Sequence, residues 1–338
     1  MRFLTCLALL PSALAAPALD FTSYITPRSN ANASLTGYLG VFFLGDAPNV
    51  YFYQSKGNNA VSMKPLNSGK PVIVPTLGTK GVRDPSIITS KTDNKYYIIG
   101  TNLDIAKTTW DLSQRNGSRS IFVWESTDLV TWTSERLVEV EDASAGMVWA
   151  PSAVFDEEKG EYLVHWASKF YAENDTAHAG APSATKLRYA YTSDFRTFSK
   201  PGDYIDYAPT DVIDLEFLPL GDNAYARFVK NETAKNVFTE ISTQGLFGAW
   251  TRPQGEGSII QSGVEGPAVY WDNVEEGKAH LLLDFYGEDG YRPFESTDVQ
   301  GGVWSASDRS AWPENLRHGS VLSITEAQGA ALSGATWA

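Results

Sequence analysis

Four short segments recur along the chain at nearly even intervals, and three of them carry an acid. They read Arg83-Asp84-Pro85-Ser86-Ile87, Trp149-Ala150-Pro151-Ser152, Ile213-Asp214-Leu215-Glu216-Phe217 and Val264-Glu265-Gly266-Pro267. Taken at Asp84, Trp149, Asp214 and Glu265, they are separated by 65, 65 and 51 positions. A regular step of this kind marks a repeat architecture, in which one supersecondary unit is laid down several times.

Each segment is followed by two apolar, aromatic-rich runs, the second ending in a Ser/Thr turn. After Asp84 these are Tyr96–Gly100 and Ile121–Asp128; after Glu265 they are His280–Phe285 and Tyr291–Asp298. β-Branched and aromatic runs bounded by Gly, Asn, Asp and Ser read as strands of antiparallel meanders. No long amphipathic helix interrupts them. The units predict an all-β protein, a five-bladed β-propeller. Tyr38–Leu44 and Asn49–Ser55 match the second and third strands of a fifth blade that lacks its first strand. Gly319–Thr325 near the C-terminus supplies it, so the ring is expected to close by pairing N- and C-terminal strands, which removes open edges. A β-sandwich or β-helix is the competing architecture. The repeated acids Asp128, Asp194 and Asp298 sit in Ser/Thr-x-Asp turns and read as outer turn residues.

The 338 residues are 43% hydrophobic and 20% charged, an ordinary globular balance that one all-β ring absorbs without a second module. Residues 1–16 read as a secretory signal: Arg2 as the basic flank, an apolar stretch from Phe3 to Leu10, and Ala13-Leu14-Ala15 as the cleavage rule. Residues 17–338 then form the single propeller domain. Cys6 lies inside that signal, so the secreted, extracellular chain is expected to lack disulfide and thiol chemistry. Sequons at Asn32, Asn116, Asn174 and Asn231 are candidates for glycosylation. A net charge of −13 argues against nucleic acid partners, and no later segment reads as a membrane helix.

Inverting glycoside hydrolysis needs a carboxylate to activate water and a second carboxyl that keeps its proton for the leaving oxygen. Like-charge repulsion from a neighbouring carboxylate raises the proton affinity of that acid. Two Asp and one Glu at matching repeat positions, on inner strands lining one channel, meet this need. No phosphate-binding loop, Ser/His/Asp set or redox motif is visible.

Asp84 in RDPSI, Trp149 in WAPS, Asp214 in IDLEF and Glu265 in VEGP, in that order, resemble the motifs of glycoside hydrolase family 43. The resemblance spans roughly residues 37 to 326. It implies a five-bladed propeller that hydrolyses arabinosides, xylosides and related sugars with inversion. It also implies roles: Asp84 as general base, Asp214 as the group that orients the acid and raises its pKa, and Glu265 as general acid. Leu215 stands where the family often has Pro. Asp211 and Glu216 are therefore rivals of Asp214, Glu216 the stronger because alternation puts it on the same strand face. Trp149 is a sugar-stacking platform or a core residue. Arg292 reaches the pocket to pair with a carboxylate or is solvated. His318, at the start of the closing strand, is structural or lies near the substrate or a central Ca²⁺, as in members of the similar family. His165, His178 and His280 show no metal-ligand spacing. The reaction requires no organic cofactor, and a structural Ca²⁺ is left open.

Within the resembled family the stretch from Arg83 through the loop 108–118 is most similar to enzymes releasing terminal arabinofuranose from polysaccharide or oligosaccharide. A β-D-galactofuranosidase is the close alternative, since β-D-galactofuranose presents the same ring stereochemistry. β-Xylosidase, arabinanase and β-1,3-galactanase activities stay open. Fructan hydrolases fit poorly, because their Asn-Asp-Pro-Asn and Glu-Cys motifs are absent. A sugar-binding propeller without catalysis is the reading from another class. It is disfavoured because the blade-start residues differ from one another, whereas binding propellers repeat one motif.

Overall fold

The computed structural model describes residues 34–337. The expected signal segment and the Asn32 sequon lie outside the described residues. Twenty strands form five four-stranded antiparallel sheets. One blade holds β4 (Val82–Thr89), β5 (Tyr96–Asn102), β6 (Ser120–Ser126) and β7 (Thr133–Glu139), counted from the axis outward. The next holds β8 (Trp149–Asp156), β9 (Glu161–Ser168), β10 (Lys186–Thr192) and β11 (Gly202–Ile205). A third runs β12 (Val212–Gly221), β13 (Ala224–Asn231), β14 (Asn236–Ser242) and β15 (Ile259–Ser262). A fourth runs β16 (Glu265–Trp271), β17 (Ala279–Phe285), β18 (Gly290–Asp298) and β19 (Val303–Ala306). In the last blade, β20 (Arg317–Thr325) lies inside β1 (Leu35–Leu44), β2 (Ala47–Lys56) and β3 (Asn59–Pro65). The terminal strands thus close the ring, pairing from Leu35 with Thr325 to Phe43 with Arg317.

Burial explains the sequence pattern. Middle strands are covered on both faces by adjacent blades, so β9, β13, β14 and β17 are almost continuously buried and read as unbroken apolar runs. The outer strands β7 and β19 are largely exposed to solvent, and β7 is mostly polar. The apolar residues segregate into five clusters, each drawn mainly from two neighbouring blades. One of them joins Tyr38, Phe42 and Met63 of the closing blade to Tyr270, Leu282 and Tyr291 of the blade before it. Five clusters for five blades leave no open interface. Asp128 and Asp194 each accept hydrogen bonds from two backbone amides in the turns after β6 and β10, and Asp298 accepts one from Gly301 after β18. The structure therefore uses the repeated acids as turn residues.

Besides the short helix α1 (Trp110–Arg115) between β5 and β6, a nine-residue helix, α2 (Glu326–Gly334), follows the closing strand and was not expected. Its signal is local. Thr325 caps it, and Gln328 returns a side-chain bond to the Thr325 backbone amide. Leu332 is fully buried in the cluster between the closing blade and its successor, and Trp337 packs against Phe52.

Closure requires a close backbone approach at Gly319. A Cβ there would lie 2.1 Å from the Val41 carbonyl oxygen and 2.9 Å from Phe42. Gly319→Ala is expected to cost about 1–3 kcal/mol, the range for overpacking a rigid site, and to lower Tm by several degrees. Gly287→Ala, which meets nothing within 4 Å, should leave Tm nearly unchanged. Equal unfolding temperatures for the two variants would show that the closing strand does not depend on this contact.

Candidate active site

Each of the four inner strands β4, β8, β12 and β16 carries a bulge near its start. The register with the next strand breaks between Arg83 and Ser86, Trp149 and Ser152, Ile213 and Leu215, and Glu265 and Ala268. One residue in each bulge has a left-handed backbone: Asp84 at φ 51°, Ala150 at 48°, Asp214 at 46° and Gly266 at 57°. A bulge bends its strand and re-aims a side chain. For a residue with a Cβ this conformation costs about 1–2 kcal/mol and is held only where the surroundings enforce it. The bulges define the true register of the repeat, which runs through residues 84, 150, 214 and 266. Asp84 and Asp214 are equivalent, as expected from the sequence. Glu265 and Trp149 are not, since each stands one residue before its bulge. Gly266 takes the strained conformation and leaves Glu265 extended.

The strands bring Asp84, Asp214, Glu265 and His318 together. His318 Nδ1 lies 3.4 Å from Asp84 Oδ1 and 4.0 Å from Asp214 Oδ2. Thr101 donates its hydroxyl to Asp84 Oδ2 at 2.7 Å and accepts the Ala150 amide at the same distance. Asp214 Oδ2 accepts the Gly266 amide at 2.9 Å. The bulges of adjacent blades are therefore tied to the two aspartates themselves. Arg317 Nη2 lies 3.4 Å from Glu265 Oε1, while its Nε donates to Asp284 at 2.7 and 3.1 Å. Asp284 also accepts the His318 amide at 3.2 Å. The Tyr291 hydroxyl donates to the Gly266 carbonyl at 2.7 Å and accepts the Gly319 amide at 2.8 Å, joining the acid's turn to the closing strand.

These contacts separate the proton affinities. Burial pushes the Asp84 carboxyl up. The hydrogen bond and charge of His318, the Arg83 charge and the Thr101 hydroxyl outweigh it, so its pKa is lowered and it is ionised near neutrality. Burial comes first for Glu265 too, followed by repulsion from Asp214 and Asp284. Lys230 and Arg317 oppose but do not cancel these, and its pKa rises to about 8. Burial also raises Asp214. His318 is lowered by burial and raised more strongly by Asp214 and Asp84, ending at about 9. At neutral pH the group holds an ionised Asp84, an imidazolium between two aspartates, and a Glu265 that keeps its proton.

The other sequence candidates fall differently. Trp149 is half-buried beside the bulge, edge-on to Trp110 at 5.9 Å between ring centroids. Trp110 is 51% exposed and has the Arg83 guanidinium over its ring at 5.4 Å. Arg292 does not reach the carboxylates. It sits on the third strand of its blade, paired with Glu288 and Asp289 and stacked on Phe285, because the turn after β17 places those acids closer. Arg317 occupies the place assigned to it. Glu216 lies just past the Asp214 bulge and is turned to the neighbouring blade, accepting from Ser152 at 2.9 Å, with its pKa raised by burial to about 7. Asp211 accepts the Thr185 amide at 2.6 Å, away from this group. The residues do not fit a Ca²⁺ cage of six to eight oxygens. His318 already lies between Asp84 and Asp214, Arg317 holds both Asp284 oxygens, and no cluster of three or more metal-binding side chains occurs among the described residues. The remaining site residues, Thr101, Lys230, Asp284, Tyr291 and Arg317, were missed. A lone ionisable residue inside an apolar strand run was the available signal for Lys230 and Asp284.

Three groups here make stability depend on pH with one sign. Glu216, Glu265 and His318 all have folded pKa values above their ordinary ones, so the stability they add is complete at low pH. It is lost as pH rises through about 7, about 8 and about 9 respectively. Tm should fall from about pH 5 to pH 9. Glu265→Gln, which cannot ionise, should unfold at a higher temperature than wild type at pH 8 and at a similar one at pH 5. A wild-type Tm that rises over this interval would contradict the assignment.

Comparison with known proteins bears on the family and the fold. A family described as "Probable glycosyl hydrolase domain", related to glycoside hydrolase family 43, matches residues 33–329. An α-L-arabinofuranosidase of Bifidobacterium longum subsp. longum is 29% identical over 318 residues, 86% of this chain. The chain spans 28% of the length of that relative. Among solved structures, the catalytic domain of a Coprinopsis cinerea family 62 α-L-arabinofuranosidase superposes with a TM-score of 0.50 at 14% identity, over 72% of this chain and 74% of that one. An exo-β-1,3-galactanase of Phanerochaete chrysosporium gives 0.46 at 14% identity, over 71% and 51%. With the match running through all five blades, the chain belongs to the glycosyl hydrolase family related to family 43.

Proposed function

We propose that the chain is an inverting glycosidase that releases terminal α-L-arabinofuranosyl residues from a polysaccharide or oligosaccharide outside the cell. The observation that carries the reading is the split in proton affinity between two carboxyls beside one channel: Asp84 ionised, Glu265 protonated with its pKa raised to about 8. In the proposed reaction Asp84 takes a proton from water as its oxygen bonds to the anomeric carbon. The glycosidic C–O bond breaks, and Glu265 gives its proton to the departing oxygen. Solvent then returns the net proton from Asp84 to Glu265. His318 holds Asp84 and Asp214 apart and supplies the positive charge that keeps Asp84 ionised. Asp214 raises the proton affinity of Glu265 and fixes the Gly266 turn on which it depends.

The choice of arabinofuranose rests on the name of the 29% identical relative and on the motif resemblance. Trp110, half-exposed and edge-on to Trp149 near the bulge, offers an apolar ring of the kind a sugar stacks on. The secreted location rests on the N-terminal signal.

Hydrolysis of 4-nitrophenyl α-L-arabinofuranoside, β-D-galactofuranoside and β-D-xyloside, compared between wild type, Asp84→Asn and Glu265→Gln, tests the reading. Preference for the arabinofuranoside is expected, with kcat/KM falling roughly 10²–10⁴-fold in Asp84→Asn; Glu265→Gln should lose as much on an arabino-oligosaccharide, whose leaving hydroxyl needs the proton, and less on the 4-nitrophenyl glycoside. The wild-type profile should lose activity as pH rises through about 8. Preference for the galactofuranoside would reassign the sugar and keep the mechanism. Undiminished activity of Glu265→Gln on the arabino-oligosaccharide would remove the acid from the scheme.

A further inference from the structure

Lys230 is the last residue but one of β13, and its side chain is fully buried. A buried ammonium calls for acceptors on all three of its hydrogens. Here one short bond is made, to the carbonyl of Val264 at 2.6 Å, the residue before Glu265. The other partners are more distant: Glu232 Oε2 at 3.4 Å and Glu265 Oε2 at 3.8 Å. The face of Tyr286 covers it, with the ring centroid 4.8 Å from Nζ. Glu232 is shared with Lys235.

The second cation near Glu265 is committed elsewhere. Arg317 holds both oxygens of Asp284 at 2.7 and 3.1 Å and reaches Glu265 only at 3.4 Å. Asp214 on β12 and Asp284 on β17 repel a charge on Glu265, and Arg317 on β20 attracts it. His318 on β20 is bound up with Asp84 on β4 and with Asp214. That leaves the Lys230 ammonium as the cation facing Glu265 whose tight contact is to a neutral carbonyl. While Glu265 is protonated, the long Lys230–Glu265 contact is a weak one. Once the proton departs, it becomes an ion pair in a shielded site. An interaction that strengthens as the reaction proceeds lowers the barrier, whereas one equally strong at the start does not.

We infer that Lys230 is a positioning residue for the acid: it anchors the Val264 carbonyl ahead of Glu265 and stabilises the carboxylate that forms when Glu265 gives up its proton. The inference rests on the glycosidase reading for its catalytic consequence but not for the charge coupling. No substrate contact is asked of Lys230. Its effect should therefore be largest for leaving groups that need full protonation, such as a sugar hydroxyl, and smallest for 4-nitrophenolate.

The test uses the full chain with ¹³C-labelled glutamate carboxyls, the Glu265 resonance being identified by its loss in Glu265→Gln. Two variants divide the role. Lys230→Met removes both charge and donor in a similar volume, and Lys230→Gln keeps an amide donor for the Val264 carbonyl without the charge. Circular dichroism establishes that each is folded. The Glu265 titration should move up by roughly one pH unit or more in both variants, the usual effect of removing an opposite charge within 4–6 Å. The alkaline limb of kcat/KM should move with it. Lys230→Met should also lower kcat/KM on an arabino-oligosaccharide more than on the 4-nitrophenyl glycoside. An unchanged Glu265 titration in folded Lys230→Met and Lys230→Gln would overturn the inference. A wild type inactive on every furanoside, with the titration shift present, would sink the arabinofuranosidase reading and leave the Lys230–Glu265 coupling standing.

Discussion

Four carboxyl groups, Asp84, Asp214, Glu265 and Asp284, crowd the start of the inner strands, and closure of the ring makes that crowding tolerable. Two of the cations that face them, Arg317 and His318, are consecutive residues at the beginning of the closing strand. Without β20 paired to β1, Asp284 would lose its arginine, and Asp84 and Asp214 would lose the imidazolium between them. Removing one partner of a buried ion pair leaves an uncompensated charge, at a typical cost of about 3–5 kcal/mol. The strand that zips the two ends of the chain together is therefore also the one that neutralises the site. Ring closure and the neutralisation of this carboxyl cluster depend on the same strand.

The cations do not neutralise the carboxyls evenly, and the chemistry comes from the difference. His318 contacts Asp84 and Asp214, so their charge is supported by an imidazolium whose own pKa rises to about 9. Arg317 spends its best geometry on Asp284. Glu265 is left with longer contacts to two cations and repulsion from two aspartates. An evenly spaced set of ion pairs would ionise all four carboxyls. This set ionises Asp84 and keeps Glu265 protonated.

Most of the ring was legible because a blade imposes its pattern on the sequence. The middle strands are buried on both faces and must be apolar throughout, so Tyr162–Trp166 and His280–Phe285 announce themselves. The turns after third strands need backbone-satisfying side chains, so Asp128, Asp194 and Asp298 repeat. The three acids stood out because they interrupt this pattern at the start of inner strands. What the pattern did not contain was the partner of each charge. Arg292 stands out in the sequence because a cation in a strand run is conspicuous, yet which acid it meets depends on the turn at Glu288 and Asp289, close in sequence and off the axis. Lys230, Thr101 and Asp284 act across blade boundaries, and periodicity says nothing about which side chains meet there. The helix α2 was missed because its hydrophobic contacts are few and its capping box is short.

The one-residue offset between the acid and the two aspartates has a physical consequence that the even spacing of the motifs concealed. Asp84 and Asp214 sit at the strained bulge position, and their side chains are 15% and 8% exposed. Glu265, released from that position by Gly266, pairs across from Asp284 in an extended strand, and its side chain keeps 24% exposure. In the proposed reaction a base at Asp84 gains from being fixed and enclosed, because its proton affinity is then set by protein groups alone. In the same proposal an acid at Glu265 must reach a leaving group that departs toward solvent, and must be reloaded with a proton after each turnover. The bulge glycine serves both needs. A Cβ at 266 would stand 2.6 Å from the His318 ring, so this residue cannot enlarge without displacing the imidazolium that keeps the base ionised. The small residue behind the acid is thus as much a part of the proton balance as the carboxyls on either side of it.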